Sequence, residues 1–337
     1  MSQSVLVTGG TGLIGAHVAR KLLAAGCRPV LFDAFPSDAN IHDLHGQVTV
    51  ERGDVSDMTD LLRVVRKHSV ERVIHLAAVL TIQAAVNPSR ALLINCLGTS
   101  HIFELARAFA FKRVVYASSA AVYASRPRYV ALLGRHAVTE EDLPDPGDLY
   151  GSTKSMCEGL GAQALRDGLD VVGLRPVMTF GVGRLTGAVG ILNLAMRDAT
   201  LSGRGVVTQP WLPDTRINPM YAKDCADLFV RTCLFDQRLS KPVYNLGTGE
   251  YYSIREMMDL AVRSMPQGSR IDFENRSAVE SEGVAVPSFD YADLDSSAIR
   301  HELGWTPEYG FAAAARECVA IYLQNATQGA TAQGSPT

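Results

Sequence analysis

Tyr150 and Lys154, in Tyr150-Gly-Ser-Thr-Lys154, stand four residues apart, so on a helix their side chains share a face. A phenol with a reference pKa of about 10 is a poor base near neutrality. A neighbouring ammonium favours the phenolate and makes it a better one. Upstream, the apolar run ending Val115-Tyr116-Ala117-Ser118-Ser119 delivers hydroxyls where a strand ends. A serine there can hydrogen-bond a reacting oxygen while Tyr150 takes or gives its proton. Any exposed helix can carry Tyr-x-x-x-Lys, so the pair gains meaning only from what accompanies it.

The companion is a glycine loop. Thr8-Gly9-Gly10-Thr11-Gly12-Leu13-Ile14-Gly15 follows the first apolar run, with glycines spaced Gly-x-x-Gly-x-x-Gly at 9, 12 and 15. One glycine allows the tight turn, one lets backbone approach a pyrophosphate, and one lets the new helix pack closely on its strand. The helix N-terminus then faces the phosphate charge. The second apolar run ends in Asp33, 18 residues after Gly15, where an acid accepts hydrogen bonds from an adenosine ribose. No Arg or Lys follows closely to take a 2′-phosphate, so the expected cofactor is NAD.

These residues need a sheet edge to bring them together. Short apolar runs over 4–8, 29–32, 48–51, 72–76, 113–118 and 171–174 read as strands. Segments 13–25, 58–67, 90–109 and 150–165 carry helical spacing between them. Continuous apolar strands alternating with helices predict an α/β, Rossmann-type doubly wound parallel sheet, with ligands beyond the strands' carboxyl ends. After Pro176 the pattern loosens into a Gly/Arg/Thr-rich stretch and a helix over 188–201. A helix over 222–235 and a strand over 243–246 follow. The expected division is an NAD-binding domain over 1–176, with 222–247 returning to it. Residues 177–221 and 248–325 form a small substrate lobe, and 326–337 a disordered tail.

With these motifs in order, the chain resembles an extended short-chain dehydrogenase/reductase of the NAD-dependent epimerase/dehydratase family. The likeness runs from Ser4 to about Leu323. It also rests on Gly53-Asp54-Val55, His75-Leu76-Ala77-Ala78, Asn95-x-x-Gly98, Leu174-Arg175-Pro176, Tyr244-Asn245-Leu246-Gly247 and Leu303-Gly304-Trp305-x-Pro307. The resemblance implies Ser119, Tyr150 and Lys154 as the catalytic set. Ser119 takes precedence over Ser118 because Ser119-Ala-Ala-Val-Tyr123 keeps the family's spacing. Cofactor contacts are implied for Gly9, Gly12, Leu13, Ile14, Gly15, Asp33, Asp54, Val55, Leu76, Ala77, Ala78, Asn95, Tyr150, Lys154 and Pro176. Glu158 matches a family glutamate, but on a helix face a structural role is expected.

Within that family, dehydratases place Asp-Glu directly after the catalytic hydroxyl, where this chain has Ala120-Ala121. The Ser-Ala-Ala-Val-Tyr stretch resembles sugar-nucleotide 4-epimerases. However, Val177-Met178-Thr179 stands where such enzymes carry an Asn for the nucleotide phosphate, and Arg216-Ile217-Asn218-Pro219-Met220-Tyr221 departs from their pattern. The expectation is therefore a dehydrogenase or reductase acting on a small sugar, sugar acid, polyol, or hydroxy or amino acid. A UDP-hexose 4-epimerase is the alternative, and an NAD-binding sensor without turnover the least favoured. Arg184 and Arg216 are candidate anion contacts, a guanidinium suiting a carboxylate. Trp211, between Pro210 and Leu212-Pro213, is a candidate pocket wall.

Composition narrows the partners. The chain has 337 residues, 47% hydrophobic and 20% charged, with a formal net charge of −3. That supports a sizeable core and gives no electrostatic footprint for nucleic acid or an anionic membrane surface. No apolar run is long enough to span a bilayer, and the first residues lack a secretory pattern. The six scattered cysteines form no Cys-x-x-Cys pair and read as free thiols of a cytoplasmic protein. His75 is expected to be structural. His42, Asp43 and His45 lack downstream ligands, so no metal is expected. The resemblance implies a homodimer through the helices over 90–109 and 150–165.

Overall fold

The computed structural model describes residues 2–123, 126–134, 137–277 and 292–333. The glycine loop lies between the first strand, β1 (Ser4–Thr8), and the first helix, α1 (Leu13–Ala24). Next come β2 (Arg28–Asp33), β3 (Thr49–Arg52), β4 (Arg72–His75) and β5 (Arg113–Ala117). These join strands Val171–Arg175 and Val243–Asn245 in one seven-stranded sheet, parallel at every pairing. From one edge the order is Val243–Asn245, Val171–Arg175, β5, β4, β1, β2, β3. The chain thus winds outward in both directions from β1, and the crevice where the order reverses lies between β1 and β4.

Side-chain alternation divides the core into two layers. Val5 and Val7 of β1 pack with Ala16, Val18 and Leu22 of α1 and with Cys225 and Phe229 of the Ala222–Leu234 helix. Leu6, pointing the other way, packs with Leu61 and Val64, Ile102 and Phe103, and Cys157. Every β1 residue is buried, as a sheet covered on both faces requires. Each fully buried Leu or Val contributes about 1.5–3 kcal/mol, so these two layers hold the strand ends in place. A third cluster, with Leu192, Met196, Val207, Met257, Phe311 and Cys318, packs helices Gly187–Ser202, Ile254–Val262 and Phe311–Gln333 around a small sheet.

Two elements depart from the sequence-based expectation, and a third adds to it. The segment expected as one helix over 90–109 begins with Pro88–Ala91, widens into a π-helix over Leu92–Leu97 and continues as Gly98–Ala108. Hydrophobic spacing does not register one extra residue per turn. The stretch after Ala124 contains a helix, Arg126–Leu133, that buries Tyr129 against Tyr123. The expected tail from 326 is helical as far as Gln333, its alanines and glutamines being good helix formers; 334–337 lie outside the described residues. No helix among the described residues is long and apolar enough to cross a membrane.

Candidate active site

The glycines divide their work by clearance. Gly9 has φ of 65°, and a Cβ there would meet the Ala77 nitrogen at 3.0 Å, so turn and close strand approach both require glycine. A Cβ on Gly15 would lie 2.4 Å from the Gly9 oxygen, and one on Gly10 would lie 2.7 Å from the Val7 oxygen. Gly10, outside the three-glycine spacing, is thus as tightly packed as Gly15. A Cβ on Gly12 would meet only the Gly9 oxygen, at 3.2 Å. Gly12 caps α1 with no side-chain partner for the helix's first N–H groups, which leaves them to a ligand.

A cavity of about 570 Å³ opens over this loop. Gly9, Gly12, Leu13, Ile14, Gly15, Asp33, Asp54, Val55, Leu76, Ala77 and Ala78 all line it. Asp33 ends β2, where one carboxylate oxygen accepts from Thr11 Oγ1 at 2.8 Å and the other from the Phe35 nitrogen at 3.2 Å. An acid at one side, unused helix N–H groups and glycine-lined backbone fit a dinucleotide. Phe35 and Arg90 line the same cavity. Sequence reasoning passed over both, although Phe35 follows Asp33 by only two residues. Arg90 Nη2 donates to Asp54 Oδ2 at 2.6 Å, and burial is outweighed by Ser56 and Arg90 in holding Asp54 below the usual carboxylate range.

Asn95 stands behind the cavity wall. It is 1% exposed and lines neither this cavity nor its neighbour. Its amide accepts from the Val79 nitrogen at 2.8 Å and donates to the Val79 oxygen at 3.0 Å and to Thr153 Oγ1 at 2.9 Å. Both amide hydrogens are taken while the oxygen keeps a second lone pair, and the side chain braces the cavity wall from behind.

A second cavity of about 180 Å³ shares Ile14, Leu76, Ala78, Leu80 and Arg184 with the first. Ser119, Tyr150, Lys154, Pro176 and Trp211 line it. Tyr150 lies on the Leu149–Arg166 helix, capped by Asp148, whose side chain accepts from the Gly151 nitrogen at 2.7 Å. Lys154 is 3% exposed; its Nζ donates to the Ala117 oxygen at 2.7 Å and lies 5.7 Å from the Tyr150 ring centre. Ser118 and Ser119 take different roles. Ser118 Oγ donates to Glu158 Oε1 at 2.5 Å, and Glu158 is paired with buried Arg175. Ser119 Oγ accepts from the Ala121 nitrogen at 3.1 Å and retains its hydroxyl hydrogen for another partner. A phenol, a serine hydroxyl and a fixed ammonium around one small cavity can bind and move a proton on a substrate oxygen.

Other candidates separate clearly. Arg184 lines both cavities, whereas Arg216 is exposed and lines a smaller cavity of about 30 Å³, beside Arg126 and Tyr251, that shares Ala120, Val177, Met178 and Ile217 with the Tyr150 cavity. Trp211 is both wall and packing, its indole N–H donating to the Ala188 oxygen at 2.7 Å. His75 is enclosed between Thr8 Oγ1 at 2.6 Å and Thr99 Oγ1 at 3.1 Å, and burial lowers its pKa to about 3. Asp43 pairs with Arg20, and His45 with Asp38.

Comparison with known proteins agrees with this architecture. A family model described as the NAD dependent epimerase/dehydratase family matches residues 5–247. The UDP-glucose 4-epimerase of Mus musculus is 28% identical over 91% of this chain and 93% of its own length. That of Bos taurus is 34% identical, but the match spans about half of each, 47%. Among solved structures, the NAD complex of the Thermus thermophilus UDP-glucose 4-epimerase aligns with a TM-score of 0.81. It is 24% identical and covers 95% of this chain and 99% of that one. L-threonine 3-dehydrogenase from Trypanosoma brucei aligns with a TM-score of 0.79 at 22% identity, covering 94% and 97%. At these identities the structures share the fold.

Proposed function

Because the chain belongs to the NAD-dependent epimerase/dehydratase family and is an NAD-dependent enzyme of the extended short-chain dehydrogenase/reductase type, we propose that it oxidises a secondary alcohol, or reduces the matching carbonyl, of a small polar substrate. The observation that carries this is the pairing of cavities. Tyr150, Ser119 and Lys154 line a space of only about 180 Å³ that shares one wall with the glycine-loop cavity.

In this proposal Gly9, Gly12 and the α1 N-terminus hold the pyrophosphate, Asp33 the adenosine ribose, Asp54 and Val55 the adenine, and Lys154 the nicotinamide ribose. NAD, when bound, supplies the hydride acceptor. Ser119 Oγ donates to the substrate oxygen, and the Tyr150 oxygen takes the hydroxyl proton on oxidation or returns it on reduction. The ammonium of Lys154, held by Ala117, stands 5.7 Å from the centre of the Tyr150 ring. Apolar walls from Leu76, Pro176, Val189 and Trp211 keep water from the reacting atoms.

The test combines NAD with polyols, sugar acids, hydroxy and amino acids, and UDP-sugars, reading both reduced nicotinamide and product isomers. Stoichiometric NADH supports the proposal. Isomer exchange without net NADH supports the second function, sugar-nucleotide 4-epimerisation, which is favoured by relatives named as epimerases along more than nine-tenths of the chain.

We also infer the division of labour in the chain. Residues 1–176 and 222–247 would bind NAD, which the strand Val243–Asn245 supports by completing the large sheet. Residues 177–221 and 248–325 would form the substrate lobe. A homodimer in the cytoplasm completes the proposal. Leu92, Leu93, Leu97 and Met156 are 39–58% exposed on the two helical segments that would pair, and sedimentation of the L93E variant would test it.

A further inference from the structure

That oxidoreductase proposal leaves the class of substrate open, and one guanidinium bears on it. Arg184 follows Gly183, a left-handed residue with φ of 103°, and lines both the Tyr150 cavity and the glycine-loop cavity. It is half-buried, yet among the described residues its side chain makes one hydrogen bond, Nη1 to the Thr179 oxygen at 3.4 Å. The buried guanidiniums of Arg113 and Arg175 each hold a carboxylate, Asp170 at 2.8 Å and Glu158 at 2.7 Å. Arg184 holds none. A guanidinium has five N–H donors, and leaving buried donors unmet is unfavourable.

The surroundings indicate what would meet them. Burial holds the Arg184 pKa below its ordinary value while Tyr150 opposes that shift, so the cation lies within electrostatic reach of the phenol. Among the described residues no Asp or Glu lines the Tyr150 cavity, and its other cation, Lys154, is held by Ala117 and assigned to the nicotinamide ribose. Ile82, Met178, Val189 and Trp211 supply apolar wall. One uncommitted cation, two hydroxyls and apolar sides complement a small anion bearing a carbinol.

Resting on the oxidoreductase proposal, we propose that Arg184 binds the carboxylate of the substrate, which is a small acid carrying a secondary alcohol. On oxidation the carbinol carbon loses its hydrogen as hydride to NAD, the hydroxyl proton passes to Tyr150, and a keto acid and NADH result. The carboxylate stays ionised and paired with the bidentate guanidinium throughout.

A second anion could in principle meet Arg184: the diphosphate of NAD or of a sugar nucleotide. The experiment separates them. The full chain is assayed with NAD on 3-hydroxybutyrate against 2-butanol, on L-threonine against 1-amino-2-propanol, and on galacturonate against galactose. At least one acid is expected to exceed its neutral partner in kcat/KM by about 30-fold or more. Arg184→Gln should remove that preference while the NAD dissociation constant, titrated separately, changes less than about twofold. Arg184→Lys, which keeps the charge but not the fork, should recover part of it. Equal use of acids and neutral alcohols overturns the inference, as does an Arg184→Gln enzyme that loses NAD binding and keeps its acid preference. If none of these compounds is oxidised, malonate binding to the NADH-loaded protein decides by calorimetry. Binding by the wild type that Arg184→Gln weakens about 30-fold supports the inference, and equal or absent binding overturns it. Isomerisation of UDP-galactose without NADH would instead overturn the oxidoreductase proposal itself.

Discussion

Lys154 Nζ donates to the main-chain oxygen of Ala117 at 2.7 Å, tying the helix of Tyr150 to the strand that delivers Ser119. The bond crosses from one helix turn to one sheet edge and joins the two elements that carry phenol, ammonium and serine. Thr153, beside Lys154, is tied in turn to Asn95 and through it to Val79 on the cavity wall.

Tyr150→Phe keeps the ring and the packing but removes the proton carrier. Turnover should fall at least 10²–10⁴-fold, the usual contribution of a positioned acid or base. NAD affinity, followed by fluorescence titration, should be nearly unchanged. Full activity in this variant would exclude Tyr150 as the acid/base.

The glycine loop predicts a split between folding and binding. Gly15→Ala places a methyl 2.4 Å from the Gly9 oxygen, so the fold itself must shift, and melting temperature should drop by several degrees. Gly12→Ala meets only one atom, at 3.2 Å, and should melt near wild type. Its NAD affinity should nonetheless fall by tenfold or more, because the methyl stands where backbone would approach the pyrophosphate.

Asp33 at the carboxyl end of β2 should make NADP a poor ligand, since a 2′-phosphate would meet a carboxylate. Titration should show NAD binding at least about tenfold more tightly. Asp33→Ser should narrow that gap, and equal affinities in the wild type would remove the role given to Asp33.

His75 predicts a pH effect on stability. Thr99 Oγ1 donates to the Asn95 oxygen at 2.6 Å, so it accepts from His75 Nε2–H, leaving Nδ1 to accept from Thr8. The ring is therefore neutral in the fold, with its pKa lowered from 6.5 to about 3. Below pH 6.5 the unfolded chain binds a proton that the folded one does not. The contribution is complete above pH 6.5 and lost progressively as pH falls towards 3, at about 1.4 kcal/mol per unit. His17, whose pKa burial lowers to about 4, acts in the same direction. Urea unfolding at pH 7.5 and 5.0 should show a smaller loss in His75→Asn than in wild type, by about 2 kcal/mol. Parallel losses in the two proteins would contradict the buried neutral ring.

Glu158→Gln would leave Arg175 buried beside a neutral partner and weaken the hydrogen bond from Ser118. Removing one member of a buried ion pair costs about 3–5 kcal/mol, which denaturant midpoints would register. A structural role is expected for Glu158 on its helix face, and the fold shows it holding both Arg175 and the serine beside Ser119.

What the sequence determined on its own is the local and periodic part. Continuous apolar strands, the glycine loop with Asp33 beyond it, and Tyr-x-x-x-Lys each encode their conformation within a few residues. They place the parallel sheet, the loop and the helix bearing Tyr150 and Lys154 with boundaries shifted by only one or two residues. Other features depended on contacts between segments far apart in the chain. Asn95 came to brace the cavity wall because Val79 and Thr153 take up its amide hydrogens. Part of the tightness at Gly10 comes from Leu31, 2.8 Å from a Cβ there, which neighbours it only once β1 and β2 pair. The two arginines that looked alike as anion contacts took different places in the fold: Arg184 came to the wall between both cavities, while Arg216 came to a smaller cavity adjoining that of Tyr150. A side chain's type and spacing specify what it can donate or accept, but only the folded chain specifies which partners have already claimed it.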